Sequence, residues 1–207
     1  MTRRAADRRS GRKSSGRPGV SQQPWALLRN SYRPVEVLSA DELEQIHEAS
    51  LTILEDIGIA FLLPEALDIL EAAGADVNTS TQMVRFDRSL IEECVSQAPS
   101  KFTLHTRNPQ HDLVFGDNHI NFATVASAPN VSDAERGRRP GNFADYCDLL
   151  KLAQSLNVVH LCGGYPVEPT DLPAETRHLD ALSAFATLTD KAFHAYSLGR
   201  TRILDGI

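Results

Sequence analysis

The chain has 207 residues, 42% hydrophobic and 23% charged, the balance of a soluble globular protein rather than a disordered or fibrous one. No apolar run approaches the roughly 18 residues that a membrane span requires. The three cysteines, Cys94, Cys147 and Cys162, form neither a CxxC pair nor an even disulfide framework, which points to a reducing cytoplasm.

The net charge of -6 conceals a split. Residues 1–33 carry nine of the 21 Lys/Arg and one of the 27 Asp/Glu, leaving 12 bases and 26 acids to the rest. The head "MTRRAADRRSGRKSSGRPGVSQQP" is rich in Arg, Ser and Gly without apolar periodicity, so residues 1–33 are expected to form a disordered basic tail. "PWALLRN" is too short, and too interrupted by Arg29, to serve as the apolar stretch of a secretory signal. A transit peptide, a solubilising leader or an arm for an acidic partner all fit this composition. The acidic body argues against nucleic acid as the main ligand, because phosphate binding wants a basic face.

Residues 34–117 read as a mixed α/β unit. "LSADELEQIHEASLTILEDIG" is the clearest helix: Ser39 and Glu42 form an S-x-x-E capping box, Leu43, Ile46, Leu51, Leu54 and Ile57 are helically spaced, and Gly58 is the stop. Pro64 opens a second helix, "PEALDILEAAG". "MVRFD" is a short strand, and Asp87 caps a third helix, "DRSLIEECVSQAP". "KFTLHTR" and "HDLVFG" are strands separated by the turn "NPQ".

From Asn118 the rhythm changes. "HINFATVAS" is a strand, "APNVSDAERGRRPGN" a loop and "FADYCDLLKLAQSL" a helix. "VVHLCGG" is the second strand, followed by the loop "YPVEPTDLP". "AETRHLDALSAFATLTD" is the next helix, "KAFHAYSLG" a third strand, and "TRILDGI" the start of another helix. Strand, helix, strand, helix, strand is the order of parallel βαβ units. No G-x-G-x-x-G or P-loop follows a strand, which weakens a nucleotide-binding sheet and favours a (β/α)8 barrel. Such a barrel takes about 250 residues, so residues 118–207 are expected to hold only its first three βα units, and the chain is expected to be a truncated fragment.

Several words in this order resemble the N-terminal part of the trimethylamine methyltransferase family. They are "VEVLSADELEQIHEASLTILEDIGIAF", "EALDILEAAGADVN", "VRFDRSLIEECVSQAPSKFTLHTRNP", "DAERGRRPGNFADYCDLLKLAQSLNVV", "PVEPTDLPAETRHLDAL" and "TLTDKAF", spanning about residues 33–205. The resemblance implies an α/β fold, a TIM-type barrel, and transfer of a methyl group from trimethylamine or a betaine to the cobalt of a separate corrinoid protein. It implies no tightly bound cofactor, a corrinoid supplied by that partner, and a homo-oligomer when full length. The competing readings are a metal-dependent barrel hydrolase or lyase and an inactive orphan fragment.

Barrel sites lie in the loops after the strands, here 127–140, 163–173 and 198–200. In the second strand His160 and Cys162 share a face, as do His194 and Tyr196 in the third. The more polar set is placed inward, which makes His160 and His194 catalytic candidates and leaves buried core histidines as the alternative. A zinc site from His160, Cys162 and His194 lacks any supporting spacing. Glu168, on a stiff loop, is the strongest catalytic candidate, able to hold a cationic amine or orient a neighbour. Asp171 either contacts substrate or caps the helix beginning near Pro173. Recognition of a quaternary ammonium favours aromatic faces, for which Tyr165, Tyr196 and Phe122 are available. Gly163 and Gly164 fit a turn off a strand end where side chains would obstruct a ligand. Arg136, Arg138 and Arg139 suit a solvated loop or a contact with the corrinoid protein.

Overall fold

A computed structural model describes residues 20–194 and 198–207. The expected tail over residues 1–19, and Tyr196, lie outside the described residues. The chain divides into two compact units, each described by itself.

One unit comprises Leu28–Leu104 and Val114–Ile120. Strand β1 (Leu28–Arg29) begins it, so order is present before Arg33, where the tail was expected to end. Helix α1 (Ala40–Thr52) starts at the anticipated capping box: the Glu42 N–H donates to Ser39 Oγ (3.3 Å) and the Ser39 N–H to Glu42 Oε2 (2.8 Å). Its last turn, Ile53–Ile57, widens to a π-helix before Gly58. Strand β2 (Ile59–Ala60), helix α2 (Pro64–Ala72), and strands β3 (Asp76–Asn78) and β4 (Met83–Arg85) follow, with β4 central in an antiparallel β2–β4–β3 sheet. Leu67, Ala75 and Val84 form the core, with Phe61, Leu70, Val77, Phe86 and Leu90 against it. Asp87 caps helix α3 (Arg88–Ser96), and Arg88 reaches Glu48 (2.9 Å) and Glu55 (3.2 Å). Strands β5 (Phe102–Leu104) and β6 (Leu113–Phe115) bring Phe102 and Phe115 into a stack with centroids 5.1 Å apart. Strand β7 (His119–Ile120) then pairs antiparallel with β1. The single strand expected over 119–127 is therefore split, its first two residues serving this unit.

The other unit comprises the segment ending at Leu27, His105–Leu113 and Asn121–Ile207. Its second half begins with a hairpin where a loop was expected: β8 (Asn130–Asp133) and β9 (Gly137–Pro140) pair antiparallel, Asp133 opposite Gly137. Helix α4 (Phe143–Ser155), strand β10 (Leu161–Cys162), helix α5 (Arg177–Leu188), strand β11 (Ala192–Phe193) and helix α6 (Arg200–Asp205) follow. β10 and β11 are parallel, and Ala123 forms a parallel bridge to Leu161. The expected strand–helix–strand–helix–strand order is thus present as a parallel set, Ala123 beside β10 beside β11. α4 and α5 cover it through a core of Tyr146, Leu150, Ala153, Cys162, Tyr165, Val167, Ala181, Ala184 and Phe185. The observed class is α/β, with six α-helices and small sheets among the described residues.

At the end where β11 begins, the word "TLTDK" is a lock. Lys191 is buried, and its ammonium donates to Ala153 O (2.6 Å) and Leu156 O (2.7 Å) at the end of α4. Burial holds that ammonium below the ordinary lysine range. Gln154 accepts from Thr189 Oγ1 (2.6 Å) and donates to Asp190 Oδ1 (2.8 Å), while Arg107 donates to Ala186 O and Thr189 O.

Candidate functional site

The loop after β10 is shaped by close backbone approach. A Cβ on Gly163 would lie 2.7 Å from Thr124 O, and one on Gly164 would lie 2.8 Å from Ala126 Cβ. The double glycine therefore makes room for the neighbouring segment 123–126 and not, as expected, for a ligand. That segment also holds the loop: the Ser127 N–H donates to Tyr165 O (2.6 Å) and the Glu168 N–H to Ala128 O (2.9 Å).

Asp171 is a helix cap, though of a different helix than expected. α5 begins only at Arg177, and no side chain caps it. Asp171 Oδ1 instead accepts from the Phe143 N–H (2.8 Å), the first residue of α4, beside the Asn142 cap on Asp145 N (2.9 Å). A carboxylate there complements the positive end of the helix dipole.

Beyond the strand end lies a cavity of about 130 Å³ lined by Tyr165, Glu168, Ala174, Arg177, His178 and Arg202. Tyr165 and Glu168 were expected near a site. Arg177, His178 and Arg202 were not. Glu168 Oε2 stands 3.6 Å from Arg177 Nη1. His178 is 6% exposed, and its Nε2 lies 2.7 Å from Asp205 Oδ2; the carboxylate accepts, so the proton is on Nε2. Arg202 donates to Ala174 O (2.9 Å). The sequence carried no signal for them: the helix read from it begins at Ala174, with Glu175 in its first turn, whereas α5 begins at Arg177 and puts Arg177 and His178 there, against the macrodipole preference for acids.

The remaining candidates are dispersed. His160 is 1% exposed, and both its nitrogens are engaged. Nδ1 accepts the Phe122 N–H (2.9 Å), which fixes the proton on Nε2, and Nε2 donates to Ala26 O (3.2 Å). Its ring stacks on Phe122 and meets the edge of Trp25, both 6.0 Å away. Gln22 Oε1 meanwhile accepts from the Asn157 N–H (2.8 Å), so residues 22–26 are attached where a tail was expected. Burial pushes the His160 pKa down. This is the buried core histidine, not an inward-facing one.

Cys162 belongs with the helices as well: it is fully buried in their core, and burial pushes its thiol up to about 11. Phe193 stacks on Phe185 with centroids 4.5 Å apart, so alternation puts the exposed His194 on the opposite strand face. The inward placement of His160 and Cys162 is thereby corrected. Among the described residues no three His, Cys, Asp or Glu side chains gather to hold a metal ion. Two of the three arginines of the hairpin are committed internally. Arg139 pairs with Asp133 (2.7 Å) and with the buried Asp145, and Arg136 with Asp133 (2.9 Å), whereas Arg138 is exposed. Backbone N–H groups, first that of Arg136, hold the Asp133 carboxyl below its usual range.

A parallel α/β unit with a polar cavity in the loop after a strand is the arrangement in which open sheets and barrels bind small ligands. Residues 4–207 match the family described as Trimethylamine methyltransferase (MTTB), and the chain belongs to it. It is 34% identical over 171 residues to a glycine betaine methyltransferase of Desulfitobacterium hafniense (strain Y51), covering 83% of this chain and 35% of that one. It is 30% identical over 119 residues to trimethylamine methyltransferase MttB of D. hafniense (strain DSM 10664 / DCB-2), covering 54% and 24%. To a proline betaine:corrinoid methyltransferase of Eubacterium limosum it is 36% identical over 69 residues, covering 33% and 14%. The chain thus spans about a third, or less, of the length of these relatives. No helix among the described residues is long and apolar enough to cross a membrane.

Proposed function

We propose that the protein transfers a methyl group from a methylated amine, trimethylamine or a quaternary amine such as a betaine, to the cobalt of a separate corrinoid protein. The observation that carries this reading is the family match over residues 4–207. The likeness to a glycine betaine methyltransferase over most of the chain supports it. In this reading residues 118–207 are the first βα units of a (β/α)8 barrel, preceded by the α/β unit 34–117. Supporting it are the parallel pairs Ala123–Leu161 and β10–β11 with a helix between each. The protein works in the cytoplasm as a homo-oligomer.

The corrinoid, carried by its own protein, supplies a cobalt nucleophile. A quaternary ammonium, or trimethylamine taken up as its ammonium, leaves as a neutral amine, so this chain has no proton to deliver. Its work is alignment and exclusion of water. Glu168 sets a negative charge beside the cation, and Tyr165 offers a ring face to it. Asp171 acts by fixing the loop to α4. His194, at the end of β11 on the face away from α5, faces the reacting group from the next strand, and Tyr196 is kept as a substrate-binding candidate on its sequence alone. His160 holds the strand in place from behind, and Arg138 is offered to the partner protein. Mixed with a reduced corrinoid protein and a methylated amine, the protein is expected to move the cobalt absorption to that of the methylated form. An unchanged spectrum across trimethylamine, glycine betaine and proline betaine would sink the proposal.

A further inference from the structure

We infer that the cavity beside Glu168 is a carboxylate subsite, and that Arg177, with Arg202, selects a betaine over trimethylamine. The identification of its ligand as a betaine rests on the methyl-transfer reading above. The anion subsite itself rests on four observations.

The first is charge. The lining holds two guanidinium groups, Arg177 and Arg202, against one carboxylate, Glu168. The second is unmet hydrogen bonding. Arg177 Nε, a donor, is buried with no hydrogen-bond partner among the described residues. Buried polar atoms are paired in nearly all native structures, and leaving one unpaired costs about 1–3 kcal/mol. The Glu168 oxygen, at 3.6 Å from Nη1, does not take the Nε–H. The third is position. Arg177 is the first residue of the 12-residue helix α5, whose N-terminus has no side-chain cap. A cation there opposes the macrodipole, and an anion beside it reverses that penalty. The fourth is size. A cavity of about 130 Å³ has room for a carboxylate on a short stem.

A planar carboxylate matches the guanidinium fork, which presents Nε–H and an Nη–H in parallel. Glu168, in the same lining and 3.6 Å from Arg177 Nη1, then meets the ammonium of the zwitterion. Trimethylamine has nothing to offer the arginines.

The test is titration of the 207-residue chain by calorimetry and thermal shift with acetate, glycine betaine and choline. Choline carries the same trimethylammonium group and no carboxylate. Saturable binding of acetate and glycine betaine is expected, with choline weaker than glycine betaine by about tenfold or more. Arg177→Gln is expected to weaken acetate by about tenfold or more, and Arg177→Lys to fall between, since it keeps the charge and loses the fork. Should Arg177→Gln lose its circular dichroism spectrum, Arg202→Gln replaces it, with the same direction expected. Absence of saturable acetate binding, undiminished binding in both variants, or choline equal to glycine betaine would each overturn the subsite. The cobalt assay is separate: methyl transfer without acetate binding removes the subsite and leaves the function, and acetate binding without transfer supports the subsite and removes the function.

Discussion

At the scale of single residues, identity and role separate most clearly at His160. Its ring accepts from Phe122 N and donates to Ala26 O, which is the work of a neutral imidazole. Burial lowers its pKa in the folded state, so the unfolded chain takes up the proton first as pH falls. Stability from this group is therefore complete above the unfolded value of about 6.5 and is lost progressively as pH drops below it. We expect the urea midpoint to fall between about pH 7 and pH 5, and this part of the fall to vanish in His160→Gln. An identical pH dependence in the two proteins would refute it. None of this was legible in "VVHLCGG", where alternation showed that His160 and Cys162 share a face but not which face the helices cover. Arg177 and His178 passed unremarked for a related reason. Periodicity put them on a helix without showing that a cavity opens against its first turn.

At the scale of elements, caps were easier to find than their partners. The Ser39–Glu42 box was readable because both halves lie within one turn. Asp171 was recognised as a capping residue, yet its helix starts 28 residues earlier in sequence, at Phe143. A capping carboxylate announces itself locally, whereas the N–H it accepts from is decided by the tertiary fold. Asp171→Ala is expected to cost about 1 kcal/mol of stability, and Asp171→Asn, which keeps an acceptor, only a few tenths, as read from urea unfolding. Equal losses in the two would mean that the charge, not the hydrogen bond, does the holding. The β8–β9 hairpin was missed altogether. Its strands read "NVSD" and "GRRP", with almost no apolar alternation, and are fixed by ion pairs to Asp133 and Asp145 that no periodic pattern reveals.

At the scale of the whole molecule, the parallel βαβ order was legible from chemistry alone, because nearly all-apolar strands alternating with amphipathic helices have few other ways to bury themselves. Among the described residues, no strand pairs with the outer side of Ala123 or of β11. Near these edges Val125 is 67% exposed and Phe122 48%. Unpaired edges bordered by apolar side chains associate. The 207-residue chain is therefore expected to show a mass by light scattering that grows with concentration, and Val125→Lys to reduce that growth. A constant monomer mass over a hundredfold range of concentration would contradict it.

Gly141 has a bearing of another kind. It sits at the foot of the hairpin, where a Cβ would come within 2.2 Å of Val167 Cγ2 and 2.7 Å of Glu168 O, and its carbonyl accepts from both Thr170 N (3.1 Å) and Thr170 Oγ1 (2.7 Å). The hairpin and the Glu168 loop are thus clamped closely, with Val167 Cγ2 and Thr170 Oγ1 seated directly on the Gly141 backbone. A displacement of the arginine-bearing hairpin is therefore expected to displace the loop that carries Glu168. Residue 141 is the fulcrum of that lever.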